Sequence, residues 1–141
     1  MTRVDFYLLS DTADSAKETA TCRLTQKAFG RGHRVFILAR DAAQAGRLDQ
    51  LLWTFQQGSF IPHALSEPAP DPLPPVIVST QAPPDEFHDV LISLAADVPE
   101  WFSRFERVAE VVSGSDEDKL NARSRFRFYR DRGYALQTHN L

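Results

Sequence analysis

The stretch VDFYLLSDTADSAKETATCRLTQKAFGRGHRVFILA, residues 4–39, decides the fold of this chain. It opens and closes with apolar runs, 4–9 and 34–39, that are typical of buried strands. Between them, polar residues at 10–12 offer helix-capping oxygens, and glycines at 30 and 32 end the helix. The expected buried stripe of that helix is Ala16, Ala20, Leu24 and Ala28. A strand, a helix and a strand form a βαβ unit, which predicts a parallel sheet.

The rest of the chain continues this pattern. We expect a helix over 41–55, a helix that has Pro99 in its first turn and contains Trp101, Phe102 and Phe105, and a last helix from Lys119 to about Arg132. Strands are expected at 76–78, 89–94 and 107–112. Five prolines between 68 and 75 indicate a polyproline II connector at the surface, over 64–75. The pieces on either side are marginal in size, so residues 1–141 are predicted to form one domain. The predicted fold is a three-layer α/β domain, a mostly parallel sheet flanked by helices in a Rossmann-like topology.

Composition and charge exclude several classes of protein. The chain has 141 residues, a single Cys and a net charge of −3, so it lacks both an internal disulfide and the basic character of a duplex-binding domain. It contains no apolar run long enough to span a membrane, and its N-terminus is typical of a first strand instead of a signal peptide. A cytoplasmic protein without a membrane partner is expected.

Catalytic and cofactor motifs are missing. The loop 10–14 has no glycine and contains two carboxylates, which disfavours a nucleotide phosphate there. The four histidines and Cys22 lack metal-ligand spacing, and Asp116, Glu117 and Asp118 are better explained as helix-capping residues. We therefore predict a binding protein that is not an enzyme and has neither cofactor nor metal.

The last helix is the first candidate binding surface. Residues 119–132 carry six basic side chains and one acidic side chain, which leaves −8 on the rest of the chain. At about 100° per residue, one narrow stripe holds Lys119, Arg123, Phe126, Arg127 and Arg130, whereas Arg125 and Arg132 point elsewhere. Such a stripe suits an acidic peptide with an apolar end. A solvated helix face and a track for single-stranded nucleic acid are the alternatives.

The second candidate surface is the aromatic stretch 51–63. Trp53, Phe55 and Phe60 exceed what one helix face can bury, so some of these rings are expected to be exposed. Exposed aromatic side chains beside a proline are typical of protein–protein anchors. Ordinary core packing is the alternative.

Several of these elements occur together in one known family. Leu48-Asp49 with Leu52-Trp53, Phe60-Ile61-Pro62-His63, and the arginine-rich helix running to Gly133-Tyr134 resemble the chi subunit family of bacterial DNA polymerase III, over essentially the whole chain. The resemblance implies a non-catalytic accessory subunit with an α/β fold that lacks a nucleotide site. Phe126 stands where well-known members have Tyr, and Arg127 replaces Lys.

The resemblance also implies two partners. Family members bind the acidic C-terminal tail of single-stranded DNA-binding protein, which ends in an apolar Pro-Phe and a free carboxylate. The matching residues here are Val112, Lys119, Arg123, Phe126, Arg127 and Arg130. They bind the psi subunit of the clamp loader through a surface that matches Trp53 and Phe60. Contact with single-stranded DNA would then be indirect. A repair helicase or another replication protein at the second surface, and direct binding of single-stranded DNA, are the alternatives.

Overall fold

The computed structural model describes residues 1–66 and 70–141. The elements follow one another as β1 (Arg3–Leu8), α1 (Asp14–Gly30), β2 (Val35–Leu38), α2 (Ala42–Thr54), β3 (His63–Leu65), β4 (Val76–Ser79), β5 (Val90–Ser93), a 3-10 helix (Phe102–Arg104), β6 (Arg107–Val112), α3 (Asp116–Asp131) and β7 (Ala135–Asn140). Over these residues, no helix is both long enough and apolar enough to traverse a bilayer.

The strands form one sheet in the order β3-β4-β2-β5-β6-β1-β7, and every neighbouring pair is parallel. Side chains alternate between the two faces of this sheet. On β2, Val35 and Ile37 pack toward α1 and α2, whereas Phe36 and Leu38 join the cluster that contains α3 and the 3-10 helix. The predicted three-layer α/β fold is confirmed, and the sheet is parallel throughout the described residues.

The buried face of α1 agrees with the prediction only in part, because Ala20 is buried and Leu24 and Ala28 pack against the core, but other residues share that face. The helix buries Thr21, Cys22 and Thr25, together with Lys17, while Ala16 is only half-buried. Each threonine hydroxyl donates to the carbonyl oxygen one turn earlier, which satisfies it inside the core. The polar residues 10–12 do not cap α1 as expected. The Asp11 carboxylate accepts from the Ala13 N–H, and α1 begins only at Asp14.

The structure differs from the sequence predictions at three other places. The helix after Pro99 is a single 3-10 turn, because its aromatic side chains pack individually onto Phe36 and Tyr129. Strand β7 was not predicted, since 135–140 is largely polar and forms an edge strand beside β1. The first residues of the expected connector 64–75 lie in β3, which pairs with β4. The connector's residues 67–69 fall outside the described residues, and residues 70–75 form neither helix nor strand.

Candidate functional site

A cleft of about 360 Å³ lies between the first half of α3 and the ends of β1, β6 and β7. Four of the six residues predicted for the first surface line it: Val112, Lys119, Arg123 and Phe126. Sequence analysis missed its other lining residues, which are Phe6, Leu8, Ser113, Ala122 and Thr138. Alternation along β1 could have placed Phe6 and Leu8 on one face, but no sequence signal identifies Thr138.

The floor of the cleft is apolar. Val112 is buried, and Phe126 is half-buried with its ring edge-on to Phe6 at a centroid distance of 5.4 Å. Such T-shaped contacts are favoured because the edge of one ring meets the face of the other. The exposed part of Phe126 therefore forms one wall of a notch that an apolar side chain can enter.

The rim of the cleft is cationic. Lys119 and Arg123 are exposed, and among the described residues neither has a carboxylate oxygen within 4.0 Å. Both positive charges are therefore available to an anionic ligand. Unpaired guanidinium and ammonium groups beside an apolar notch match a ligand that carries carboxylates next to an apolar end.

The other two predicted cations lie outside the cleft lining. Arg127 is exposed further around α3, and Arg130 is exposed one turn beyond Phe126. The Arg130 guanidinium is already engaged, because its Nε and Nη2 donate to Asp131 Oδ1 at 3.2 and 3.1 Å. The predicted five-residue stripe therefore divides into cleft residues and two outlying arginines, since a shared helix face does not ensure a shared cavity.

A buried polar network holds α3 on the sheet. Arg125 donates from Nε to Glu110 Oε1 at 3.1 Å and from Nη1 to the Ala96 carbonyl oxygen at 3.1 Å. The Tyr129 hydroxyl donates to Glu110 Oε2 at 2.9 Å. Burial raises the pKa of Glu110, and the nearby positive charge of Arg125 opposes that rise. Arg125 thus points away from the cleft, as predicted, and its guanidinium is occupied by Glu110 and the Ala96 carbonyl oxygen.

The start of α3 is fastened to the loop after β1. Ser115 caps the helix by accepting from the Asp118 N–H, and the Asp118 carboxylate accepts from the Ser113 N–H. Burial raises the pKa of Asp118, but that N–H and the ammonium group of Lys17, 3.0 Å away, lower it overall. Gly114 donates its N–H to the Asp11 carbonyl oxygen at 2.8 Å. The N-cap is therefore Ser115, whereas the acidic residues predicted to cap the helix, Asp116, Glu117 and Asp118, form its first turn.

The second predicted surface lies beside β3. Trp53 and Phe60 are 48% and 67% exposed, with ring centroids 5.8 Å apart. The ring of His63 lies 4.3 Å from that of Trp53, and its two nitrogens lie 2.7 and 2.9 Å from the carbonyl oxygens of Ile61 and Asp49. These contacts tie the loop after α2 to that helix. Phe55, by contrast, packs against the core.

The two surfaces lie at opposite edges of the sheet. The cleft involves β1 and β7, whereas Trp53 contacts the first residue of β3. Five interstrand steps separate β3 from β1, which corresponds to about 24 Å at ~4.8 Å per step. Two partners could therefore be held at the same time.

The described residues show no cluster of three or more His, Cys, Asp or Glu side chains that could hold a metal ion. Burial raises the pKa of Cys22 to about 12, so its thiol stays protonated near neutral pH.

The loops after β1 and β6 are in backbone contact at Gly114. This position requires glycine, because a Cβ there would overlap the Ser10 carbonyl oxygen.

The fold and the site define an α/β protein that presents a cationic, apolar-floored cleft and an exposed aromatic pair at opposite edges of a parallel sheet. Comparison with known proteins then identifies its family. The family model described as DNA polymerase III chi subunit, HolC, matches residues 1–137, and the chain belongs to that family of accessory subunits of the replicative polymerase.

Named relatives agree with this assignment. The chain is 42% identical to DNA polymerase III subunit chi of Pseudomonas aeruginosa over 141 residues, covering 100% of this chain and 98% of the relative. It is 35% identical to the subunit of the same name from Escherichia coli, covering 98% of this chain and 97% of the relative. The corresponding Haemophilus influenzae subunit is 29% identical, with 96% and 95% covered.

Proposed function

We propose that this chain is a non-catalytic adaptor that works as one cytoplasmic domain over residues 1–141. Its cleft binds the acidic C-terminal tail of single-stranded DNA-binding protein, and its aromatic pair, Trp53 and Phe60, binds the psi subunit of the clamp loader. The observation that carries the proposal is the cleft itself, where two cations without a carboxylate partner among residues 1–66 and 70–141 flank an apolar notch beside Phe126.

The charged groups of the tail contact the cationic rim of the cleft, and its apolar end packs on the floor. Arg123 holds the terminal carboxylate, because its guanidinium offers paired N–H donors at the edge of the cleft. Lys119 attracts an acidic side chain, while Val112 and Phe126 enclose the terminal apolar ring. Phe126 has no hydroxyl, so this wall contributes packing without a hydrogen bond.

The outlying arginines act at longer range. Arg127 is exposed and can attract acidic residues further from the end of the tail. Arg130 contributes less, because it must first leave Asp131. Since these charges face solvent, binding should weaken as the Debye length shortens from ~10 Å at 0.1 M salt to ~3 Å at 1 M.

The sheet geometry supports an adaptor role. Because the cleft and the aromatic pair lie near opposite edges, a partner at one surface leaves the other open. Through the cleft, contact with single-stranded DNA is then indirect, by way of the protein whose tail is bound. A replication protein other than psi, or a repair helicase, could use the same aromatic pair.

Direct binding of single-stranded DNA along α3 is less well supported. Arg125 is buried against Glu110, Arg130 is paired with Asp131, and Arg132 lies over the ring of Phe128 with 3.6 Å between its Cζ and the centroid. Three of the five arginines on 119–132 are therefore engaged within the chain.

Calorimetry with a synthetic tail peptide tests the proposal. Arg123→Ala should weaken binding by about 1.5 to 3 kcal/mol, or about 10-fold to 150-fold, the range for a hydrogen bond to a charged group. Arg132→Ala is the matched control, because this arginine lies outside the cleft. Unchanged affinity in Arg123→Ala, or equal binding of a peptide without its terminal Phe, would remove the assignment.

A further inference from the structure

A second cavity, of about 290 Å³, lies beneath the C-terminal half of α1, on the sheet face opposite α3. It is bounded by β1, β5 and β6, and four cations line it: Arg3, Lys27, Arg31 and Arg107. None of its lining residues lines the cleft beside α3. Neither the cleft nor the aromatic pair therefore accounts for these charges.

The charge at this cavity is opposite in sign to that of the chain. Asp89 and Glu106 are its two carboxylates, so the charged lining residues sum to +2 in a protein of net charge −3. Asp89 is already engaged, because its Oδ2 accepts from the Arg34 N–H at 2.8 Å and its Oδ1 lies 3.4 Å from His88. In residues 1–66 and 70–141, Arg3, Lys27 and Arg31 have no carboxylate oxygen within 4.0 Å.

Arg107 is held in a defined orientation. Its Nε donates to Asp5 Oδ2 at 2.9 Å, and Asp5 is fully buried, with Oδ1 2.9 Å from His139 Nε2. That single contact leaves the two terminal guanidinium nitrogens free of any hydrogen bond among the described residues. The ring of Tyr7, which also lines the cavity, stacks on His139 with a centroid distance of 4.7 Å. The Asp5 carboxylate thus fixes a guanidinium at the wall of the cavity.

The uncharged lining consists of Tyr7, His33 and several apolar side chains. Leu24, Ala28 and Ile92 contribute hydrocarbon surface behind the cations. The volume is at the lower end of the roughly 300 to 1,000 Å³ found for ligand sites. The cavity therefore suits a small anion with an uncharged body better than a bare ion, which would leave the hydrocarbon surface uncovered.

We infer that this cavity binds the phosphate group of a nucleotide, with Arg3, Lys27, Arg31 and Arg107 around the phosphate and the apolar wall against the sugar and base. A guanidinium binds two phosphate oxygens through paired N–H donors, and three cations without a carboxylate partner in the described part of the chain, Arg3, Lys27 and Arg31, favour a dianion or a phosphodiester. The phosphate can come from a free mononucleotide or from single-stranded DNA. The cavity lies at the N-terminal ends of β1, β5 and β6, away from the loop 10–14 at which a nucleotide phosphate is disfavoured. This inference does not depend on the tail-binding cleft.

Titration with three probes at low salt tests the inference: thymidine monophosphate, a short fluorescent oligothymidylate and inorganic phosphate. In the double variant Lys27→Ala with Arg31→Ala, nucleotide binding should weaken at least about 10-fold, since each cation lost removes a charged hydrogen bond. The matched control is Arg23→Ala on the exposed side of α1, with an expected change within about twofold. Circular dichroism confirms that each variant folds.

The probes also distinguish the two phosphate sources. If only the oligothymidylate binds, the phosphate comes from single-stranded DNA. The slope of log affinity against log salt concentration should then be smaller in the double variant by about 1.4, at about 0.7 per cation removed. Equal affinity for the mononucleotide assigns a free nucleotide. No saturable binding of either, equal losses in Arg23→Ala, or equal affinity for inorganic phosphate would overturn the inference. The tail peptide should bind the double variant with wild-type affinity, so the test of this cavity is independent of the test of the tail-binding cleft.

Discussion

The hydroxyl of Tyr129 donates a 2.9 Å hydrogen bond to Glu110 Oε2 between α3 and the sheet, where both side chains are fully buried. Glu110 lies on β6, only two residues before Val112 in the cleft. The polar contact that anchors α3 is therefore adjacent to the surface proposed to bind the tail. The position of Lys119 and Arg123 depends on it, because both lie on the same helix.

Removing that hydroxyl should destabilise the protein. Tyr129→Phe leaves one oxygen of a buried carboxylate without its donor, which should lower the free energy of unfolding by about 1 to 3 kcal/mol. Urea denaturation measures this change. Tyr134→Phe is the matched control, because this half-buried ring packs in the same cluster without a hydroxyl contact among the described hydrogen bonds. Equal stability of the two variants would contradict the assigned role of the bond.

The buried and exposed ion pairs of α3 should differ greatly in their contributions. Arg125→Met leaves Glu110 buried without its cation and should cost about 3 to 5 kcal/mol. Arg130→Met breaks the exposed pair with Asp131 and should cost at most about 1 kcal/mol. Similar losses of unfolding free energy in the two variants would contradict the burial of Arg125.

The Arg125→Met variant should also respond to pH in a characteristic direction. Burial raises the pKa of Glu110 above 4.5, and loss of Arg125 removes a group that lowers it. A folded-state pKa above the unfolded value means that the folded state binds the proton more tightly. The variant should therefore recover stability, relative to the wild-type protein, as the pH falls through the raised pKa toward 4.5. A loss that is constant across this range would contradict an ionised Glu110.

Two glycine substitutions should have opposite effects. Gly114→Ala places a methyl group against the Ser10 carbonyl oxygen, which must displace the loop before α3 and cost about 1 to 3 kcal/mol. Gly46→Ala lies in the middle of α2 with open space at the added Cβ, so it should stabilise by about 0.5 to 1 kcal/mol. Thermal denaturation of both variants measures the two changes in stability. Tail affinity should fall only in Gly114→Ala, and a neutral Gly114→Ala would contradict the close approach of the two loops.

Trp53→Ala should separate partner binding from folding. The side chain is 48% exposed, so the variant should fold, whereas an anchoring aromatic residue contributes at least about 2 kcal/mol, or about 30-fold in affinity. Copurification with the clamp-loader subunits measures the loss. Leu120→Ala removes an exposed apolar side chain from α3 and serves as the control. Wild-type yield of the complex with Trp53→Ala would show that this surface only packs against His63.

Much of the architecture could be predicted from local patterns. The apolar run at 34–39 indicated a strand covered on both faces, and residues 107–112 indicated a strand through their propensity; the structure places both within a parallel sheet. Strand β7 escaped prediction, because an edge strand is held by backbone hydrogen bonds to β1 and needs few apolar side chains. The polar buried face of α1 escaped for a related reason, since its threonines satisfy their hydroxyls within the helix.

The sequence by itself determined which side chains share a face of α3, because the helical repeat depends only on spacing along the chain. Only the tertiary structure decided which of those cations are available. Glu110 neutralises Arg125 and a neighbouring carboxylate engages Arg130, while Arg123 faces a cleft whose walls come from β1 and β7. The Arg125–Glu110 pair and the shape of the cleft depend on distances between residues that are remote in sequence, and those distances exist only once the sheet has assembled; the Arg130–Asp131 pair is local.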